Sequence, residues 1–408
     1  MKCRSCGYSL NHVFLDLQNA PPSNAFLTEE QLAVPETYFP LKVFVCEKCF
    51  LVQIDACAMS SEIFNAGYVY FSSYSEAFVE HARRYVENIT QRFALGKQSL
   101  VYEAASNDGY LLQFFQQRGV PCCGIEPSRS VAEVAMGKGI PTEIEFFGAS
   151  FASELVYRRG KADLFIGNNV MAHVPNLNDF VAGIKNILKP DGIATLEFPH
   201  LLKLIEHVEF DTIYHEHYSY FSLLAVQTVF EKHGLTIVDI EELSVHGGSL
   251  RIYATHSENT GYASSPAVGR VLSAERAAKL DCIEMYSGIQ EKTDATCRDF
   301  IGFLVDQKRN GKKVAGYGAA AKGNTLLNYC GIRPYLLPFV SDITPAKQGK
   351  FLPGSHIPVY DETKLRAERP DYIVILPWNW KDTIIQRLSY AREWGARFVT
   401  VIPQVEIV

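Results

Sequence analysis

The sequence predicts an α/β chain in three parts: a small metal-stapled N-terminal domain, a central doubly wound domain, and a second, smaller α/β domain. Two C-x-x-C pairs fall in residues 1–65. Short apolar runs alternate with helical patterns through residues 66–265. Within residues 266–408, a strand, a glycine-rich turn and a helix restart together at GKKVAGYGAAAKG, Gly311 to Gly323.

The N-terminal part reads as loop-rich. PPSNAF (Pro21 to Phe26), Pro35 and Pro40 all interrupt regular structure. So short a segment has a small core and needs a staple. Cys3-x-x-Cys6 and Cys46-x-x-Cys49 supply one, since two facing knuckles make a tetrahedral four-thiolate site suited to zinc. A thioredoxin-type redox pair would need its C-x-x-C between a strand and a helix of a βαβ unit, and neither pair has that setting. The other six of the ten cysteines read as small core residues, with no disulfide framework.

In the central part SLVYEAAS (Ser99 to Ser106), CCGIEPS (Cys122 to Ser128), ADLFIGNN (Ala162 to Asn169) and GIATLEFP (Gly192 to Pro199) read as strands. Helices are expected at YLLQFFQQRG and through Val131 to Met136. This alternation predicts a parallel sheet with its ligand at the carboxyl ends of the strands. A long helical pattern follows, over residues 274–310. YLLPFVSD, PDYIVILPWNW and ARFVTVIP supply the remaining strands.

Bulk properties limit the function classes. The 408 residues allow two or three cores. With 47% hydrophobic and 21% charged residues, the composition is that of an ordinary globular protein. A formal net charge of -6 argues against nucleic acid or anionic membrane as a partner. No apolar run has membrane-span length and the N-terminus lacks a signal-peptide core, so a cytoplasmic location is expected.

The first strand–helix turn is Glu103-Ala-Ala-Ser106-Asn107-Asp108-Gly109. Gly109 lets a ligand approach the backbone, and Glu103 at the strand end suits a cationic or amino group. Glu126-Pro127 ends the next strand, where an acidic residue suits a ribose diol. One glycine among acidic neighbours is a poor pyrophosphate cradle. It fits a positively charged, phosphate-free cofactor, S-adenosylmethionine. Asn168 and Asn169, with His173 beyond them, end the next strand and are poorly explained by packing.

FDTIYHEHYSYFS, Phe210 to Ser222, concentrates Asp211, Tyr214, His215, Glu216, His217, Tyr218 and Tyr220. Groups that donate, accept or move protons at this density are costly to bury without partners. Beside a cofactor fold they indicate chemistry. On an extended segment His215 and His217 would point oppositely.

These residues give the chain a resemblance to the sugar C-methyltransferases that add a carbon branch to nucleotide-linked deoxy-ketosugars. It covers essentially the whole chain. The paired cysteines match that family's zinc domain, and ASNDG and GIEPS its S-adenosylmethionine motifs. NNVMAHVPNLNDF, EFPHL, FDTIYHEHYSYFS and HGGSLRIY match its central signatures, and GYGAAAKGNTLLN and ILPWNW its C-terminal domain. One departure is Glu103-Ala-Ala105, where glycine is usual; Ala105 is expected to tighten the loop without abolishing binding.

The resemblance implies a class I methyltransferase Rossmann-like central domain, a second Rossmann-like C-terminal domain that helps bind a nucleotide-sugar, and structural zinc. It implies a catalytic group of Tyr214, Glu216, His217, His173 and Tyr68, with His217 as base. It also implies substrate contacts from Tyr70, Ser73, Lys322 and Asn324. The substrate expected is a 4-keto-6-deoxy sugar nucleotide, because a neighbouring ketone acidifies a C–H bond by delocalising the anion. His217 would then remove the C-3 proton. Glu216 would orient the imidazole or contact the sugar, and Tyr214 or His173 would stabilise the enolate oxygen. Methylation at C-5, or O- or N-methylation of a nucleotide sugar, is the alternative. An NAD-dependent dehydrogenase using the Gly316 turn and a non-catalytic zinc scaffold are the rivals. The chain is expected to be a monomer or weak dimer.

Overall fold

The computed structural model describes residues 1–55 and 71–408, arranged around three sheets. The central sheet has seven strands, in the order Leu235–Leu243, Ser249–His256, Leu188–Pro199, Ala162–Asn168, Val101–Ala104, Cys122–Ile125 and Thr142–Glu143. Val101–Ala104 is buried throughout and Ala162–Asn168 nearly so, which is why both read as apolar runs. Neighbours pair in parallel except for Ser249–His256, which is antiparallel to both of its neighbours. This strand departs from the predicted parallel sheet. The link from Leu243 to Ser249 is too short for a parallel crossover, which needs a dozen or more residues. Strand order reverses between Val101–Ala104 and Ala162–Asn168, opening a crevice at their carboxyl ends.

The C-terminal sheet has six strands. Val359–Tyr360, Val340–Ser341, Val314–Tyr317, Tyr372–Ile375 and Arg397–Thr400 run parallel, and Glu406–Ile407 closes the edge antiparallel. The long helical pattern over residues 274–310 resolves into two helices, Pro266–Ala277 and Ile289–Arg309. Between them Lys279 (φ 61°) and Gly288 (φ 87°) take left-handed backbone, which no α-helix tolerates. Leu280 and Tyr286 stay buried in the connection, so the apolar periodicity continues where the helix does not.

The N-terminal part holds more strand than its prolines suggest. His12–Ala20, Phe39–Val45 and Val52–Ile54 form an antiparallel sheet around the proline-bearing stretch. Register shifts between Val13 and Leu15 and between Asp16 and Asn19 break the period-two pattern that would have marked the first strand. The fourth strand is Ser219–Tyr220, from the end of the proton-carrying run. Leu15, Val43 and Val52 share one apolar core with Leu326, Leu327 and Val374 of the C-terminal part. The N-terminal sheet therefore does not rest on a core of its own. Among the described residues no helix is long and apolar enough to cross a membrane.

Glu197 and Arg251 stand opposite each other on adjacent antiparallel strands. Their side chains are 1% and 5% exposed residues joined at 2.7 Å. Burial opposes the charge on Glu197, but the hydrogen bond with His81 and the Arg251 guanidinium hold its carboxyl down at about 2. Arg251 also reaches Glu241 at 2.7 Å and covers the Tyr85 ring. Removing one member of such a pair strands a buried charge. Arg251→Leu is expected to lower the unfolding free energy by about 3–5 kcal/mol in chemical denaturation. Adding Glu197→Gln should recover part of that loss.

Candidate active site and metal centre

The Sγ atoms of Cys3, Cys6, Cys46 and Cys49 lie within 4.8 Å of one another. Cys3–Cys49 and Cys6–Cys46 are each separated by 3.5 Å. Four thiolates at Zn–S bonds of ~2.3 Å around a tetrahedral ion would stand ~3.8 Å apart, so the donor set fits zinc. Each knuckle closes with a backbone hydrogen bond to its first cysteine, from Gly7 to Cys3 at 3.0 Å and from Phe50 to Cys46 at 2.9 Å. Both closing residues have positive φ, 75° and 55°. Glycine adopts this freely; Phe50 is held there, stacked on Tyr286.

The cofactor crevice lies at the carboxyl end of Val101–Ala104. Ala105, Asn107 and Gly109 take φ of 54°, 51° and 76°, folding the loop tightly. Ala105 thus keeps a glycine-like backbone at the position where the resemblance expects glycine. Glu126 shapes the loop by accepting from the backbone N–H groups of Asn107 at 3.0 Å and Ser128 at 2.8 Å. Pro127 lies between the strand end and Ser128. Burial, with the charges of Glu126 and Asp108, raises Glu103 well above the usual carboxylate range. Burial alone lifts Glu126 to about 7, against its two backbone donors. Among the described residues Glu103 Oε2, Ser106 Oγ, Asp108 Oδ1 and Asn168 Oδ1 are buried without a hydrogen-bond partner, as is Asn169 Nδ2. Clustered carboxyl groups with spare acceptors fit a ligand bearing sulfonium and ammonium charge. Ser73, predicted as a substrate contact, donates to the Asp108 carboxylate, and the Ser72 amide donates to Asn107 Oδ1 at 2.9 Å.

The proton-carrying run is a turn with a short strand behind it, not one extended segment. The His217 amide donates to the Tyr214 carbonyl at 2.9 Å, and Ser219–Tyr220 then joins the N-terminal sheet. The two imidazoles diverge through that turn. His215 Nε2 faces the carbonyls of Phe39 and Pro40 at 3.3 Å and so carries a proton for them. His217 Nδ1 donates to the Thr212 carbonyl at 2.9 Å, which leaves the Nε2 lone pair to accept from the Tyr214 hydroxyl at 2.9 Å. The Thr212 carbonyl, rather than Glu216, orients the imidazole. His173 meets His217 edge-on, ring centres 4.7 Å apart. Burial, then the neighbouring His173, lowers His217 well below the ordinary histidine range; burial takes His173 to about 4. Burial favours the neutral form of both rings. Tyr68 and Tyr70 lie outside the described residues.

Of the groups that reach this run from elsewhere, the sequence named Lys322 and Asn324 but gave no role to Asn24. Asn24 Nδ2, in the proline loop, donates to Glu216 Oε1 at 2.7 Å. Trp378 Nε1 donates to Asp211 Oδ2 at 2.7 Å. Lys322 Nζ donates to Asn379 Oδ1 at 2.9 Å and sits over the Trp378 ring. Burial lowers Lys322, against the pull of Asp211 and Glu209. Burial and Asp211 push Glu209 up to about 8; burial brings Asp211 to about 6. A Cβ at Gly247 would collide with Glu209 and Trp378, which accounts for the HGG motif beside this cluster. Asn324 donates from Nδ2 to the Ser23 carbonyl at 3.4 Å, with its Oδ1 buried and unpartnered. The adjacent Thr325 donates to the Ile213 carbonyl at 2.9 Å.

Three family models match in tandem: "Putative zinc binding domain" over residues 3–64, "Methyltransferase domain" over 78–240, and "C-methyltransferase C-terminal domain" over 244–403. C-methyltransferase NovU of Streptomyces niveus is 35% identical over 410 residues, spanning 100% of this chain and 96% of the relative. Solved structures resemble the chain more distantly. Magnesium protoporphyrin IX methyltransferase from Synechocystis PCC 6803 with bound SAM aligns at 17% identity and TM-score 0.34, covering 48% of this chain and 89% of that one. The PH0226 protein of Pyrococcus horikoshii OT3 aligns at 12% and 0.37, covering 48% and 98%.

Metal analysis is expected to find one zinc per chain, and Cys46→Ser to lower both zinc content and melting temperature, because binding to such a site is coupled to folding. A second expectation concerns Glu216, whose carboxyl burial holds up at about 7. Its folded value exceeds the unfolded one of ~4.3, so the stabilising proton is lost as pH rises through about 7. Gln at this position keeps the acceptor for Asn24 and never ionises. Glu216→Gln should therefore match wild-type stability near the unfolded pKa and exceed it by up to about 3 kcal/mol above neutrality. Thermal unfolding across that window reads the difference.

Proposed function

The chain belongs to the S-adenosylmethionine-dependent C-methyltransferases, and from that premise we propose that it methylates C-3 of a nucleotide-linked 4-keto-6-deoxy sugar in branched deoxysugar biosynthesis. The observation that carries this reading is the Tyr214–His217 pair. His217 is buried, neutral and oriented by the Thr212 carbonyl, with its basic nitrogen directed at a phenol. That arrangement suits removal of a proton from carbon. An O- or N-methyl acceptor carries its own lone pair and has less need of it.

A sugar C–H bond is too weakly acidic for imidazole unless a ketone adjoins it. The 4-keto group supplies that acidity at C-3, and the developing charge moves onto the ketone oxygen. Tyr214 and His217 act on this charge as a unit. The Tyr214 hydroxyl occupies the Nε2 lone pair, so a proton passing through it arrives on His217. The imidazolium N–H then donates back to the Tyr214 oxygen, and the phenol, having given its own proton to His217 and taken the one from C-3, donates to the enolate oxygen. His173, neutral and beside the pair, lines the same centre. Glu216 contacts the sugar. S-adenosylmethionine, when bound, supplies an electrophilic methyl group. Glu103 and Asp108 offer its positive end spare carboxyl oxygens, Glu126 and Pro127 stand at the strand end expected to meet its ribose, and Ser106, Asn107, Gly109, Asn168 and Asn169 complete the crevice.

The nucleotide-sugar is assigned to the junction with the C-terminal part. Lys322 and Asn324 support this, since both sit in the helix after the Gly316 turn, where Lys322 feels the charge of Asp211 in the run and Asn324 donates to the Ser23 carbonyl beside Asn24. The net charge of -6 supports a small-molecule substrate over nucleic acid, and we infer a cytoplasmic monomer or weak dimer.

His217→Ala should abolish both methyl transfer and solvent exchange of the substrate's C-3 proton, a loss of at least ~10²-fold. Persistent exchange would assign the base elsewhere. Tyr214→Phe should lower kcat with little change in KM. NMR of the product from a 4-keto sugar nucleotide should locate the new methyl at C-3. A methyl at C-5, or transfer to the matched 4-hydroxy sugar, would contradict the assignment.

A further inference from the structure

The Glu216 carboxyl is held by a residue from the N-terminal part of the chain. Glu216 is 5% exposed, and Asn24 Nδ2 donates to its Oε1 at 2.7 Å. The two residues lie 192 positions apart. Asn24 is itself an exposed residue, but the chain is tied down on both sides of it. The Ser23 carbonyl accepts from Asn324, and Ser23 Oγ meets Thr325 Oγ1 at 3.5 Å. Leu27 exchanges two backbone hydrogen bonds with Phe351, at 3.0 and 2.9 Å. Asn24 is thus fixed by the C-terminal part while it touches the run that carries His217.

Packing of the carbon chain does not explain an amide at this place. A buried carboxyl with one oxygen held by an N–H has a defined rotamer, and its other oxygen has a defined direction. A side chain that must meet one substrate atom needs such support, since small misplacements are costly to turnover.

We propose that Asn24 is a positioning residue for methyl transfer: it holds Oε1 of Glu216 so that the second carboxyl oxygen engages the substrate. The N-terminal part then contributes to the reaction through a side chain of its own, beyond stapling the fold. This rests on the reading of Glu216 as a substrate contact.

Asn24→Ala, Glu216→Ala and the double variant test it in the full zinc-loaded chain. Asn24→Ala is expected to lower kcat by about 10- to 100-fold, the range seen when an outer supporting group is lost from a reactive site. KM for the sugar nucleotide, binding of S-adenosylmethionine and zinc content should stay near wild type. In the Glu216→Ala background the second substitution should lower kcat no further. Chemical denaturation of the same four proteins should show the same non-additivity without any turnover. Asn24→Gln, which keeps an amide donor, should recover more activity than Asn24→Ala. A kcat for Asn24→Ala within twofold of wild type would overturn the proposal, as would additive losses in both cycles. If wild type transfers no methyl group to any 4-keto sugar nucleotide, the functional reading and the catalytic part of this proposal fall together. An active wild type with additive cycles overturns the Asn24 proposal alone.

Discussion

The pairing of Ser219–Tyr220 with Val52–Gln53 is the constraint on which the arrangement of the proton-carrying run depends. It makes the end of that run the fourth strand of the cysteine-stapled sheet. The knuckle adds to the hold directly. Arg4, between Cys3 and Cys6, donates to the carbonyls of Ile54 and Tyr218 and covers the Tyr218 ring. The Ile54 amide donates to the same Tyr218 carbonyl at 3.1 Å, and the Tyr218 amide to Ala172 at 2.7 Å. Further along, Ser222 caps the helix Leu223–Lys232, whose first amides also donate to the buried Glu275. With its exit fixed on both sides, the turn at residues 214–217 has little freedom. Strand register is quantised at one residue, and a slip would turn every side chain of the pair to the opposite face. The cysteine-stapled sheet therefore holds the turn that carries His217.

Around that frame the protein buries more ionisable groups than its own partners satisfy. Among the described residues Glu103, Asp108 and Glu126 converge with no fully buried cation, the part-exposed Lys138 standing 3.5 Å from Asp108, and Glu209 and Asp211 share Lys322. His173, His217 and His246 are all lowered by burial. Such groups cost stability in the free protein. The same features suit a cationic cofactor on one side of the crevice and a polar, ring-shaped substrate on the other. The buried Glu197–Arg251 pair shows the contrasting case, where strand pairing sets a carboxylate opposite its cation and the charge is retained. Local rules of packing are broken along the crevice and the run, and kept where the sheet must hold.

The sequence was legible where one rule dominated. Val101–Ala104 and Ala162–Asn168 are buried, so composition alone marks them, and the C-x-x-C pairs declare themselves by spacing. Ala105 was legible as a departure, and its backbone conforms to the glycine pattern all the same. His12–Ala20 was obscured by bulges, and the break between the helices Pro266–Ala277 and Ile289–Arg309 was masked by the buried Leu280 and Tyr286. At the site, His217, Tyr214 and Glu216 announced themselves by density in one run. Asn24 did not, because its meaning lies in a partner 192 residues away and its local context is only a proline loop. The contact of Trp378 with Asp211 had the same handicap. Each gains its role from a contact between sheets, which neither periodicity nor spacing encodes.

The central claim is that the zinc-stapled sheet holds the proton-carrying run in place. Amide hydrogen exchange of the full chain, with zinc bound and after its extraction by a chelator, tests this most directly. Loss of zinc should release the amides of Val52–Ile54 and of Ser219–Tyr220 together, while Val101–Ala104 in the central sheet stays protected. Full protection of Ser219–Tyr220 in the zinc-free chain would contradict the account.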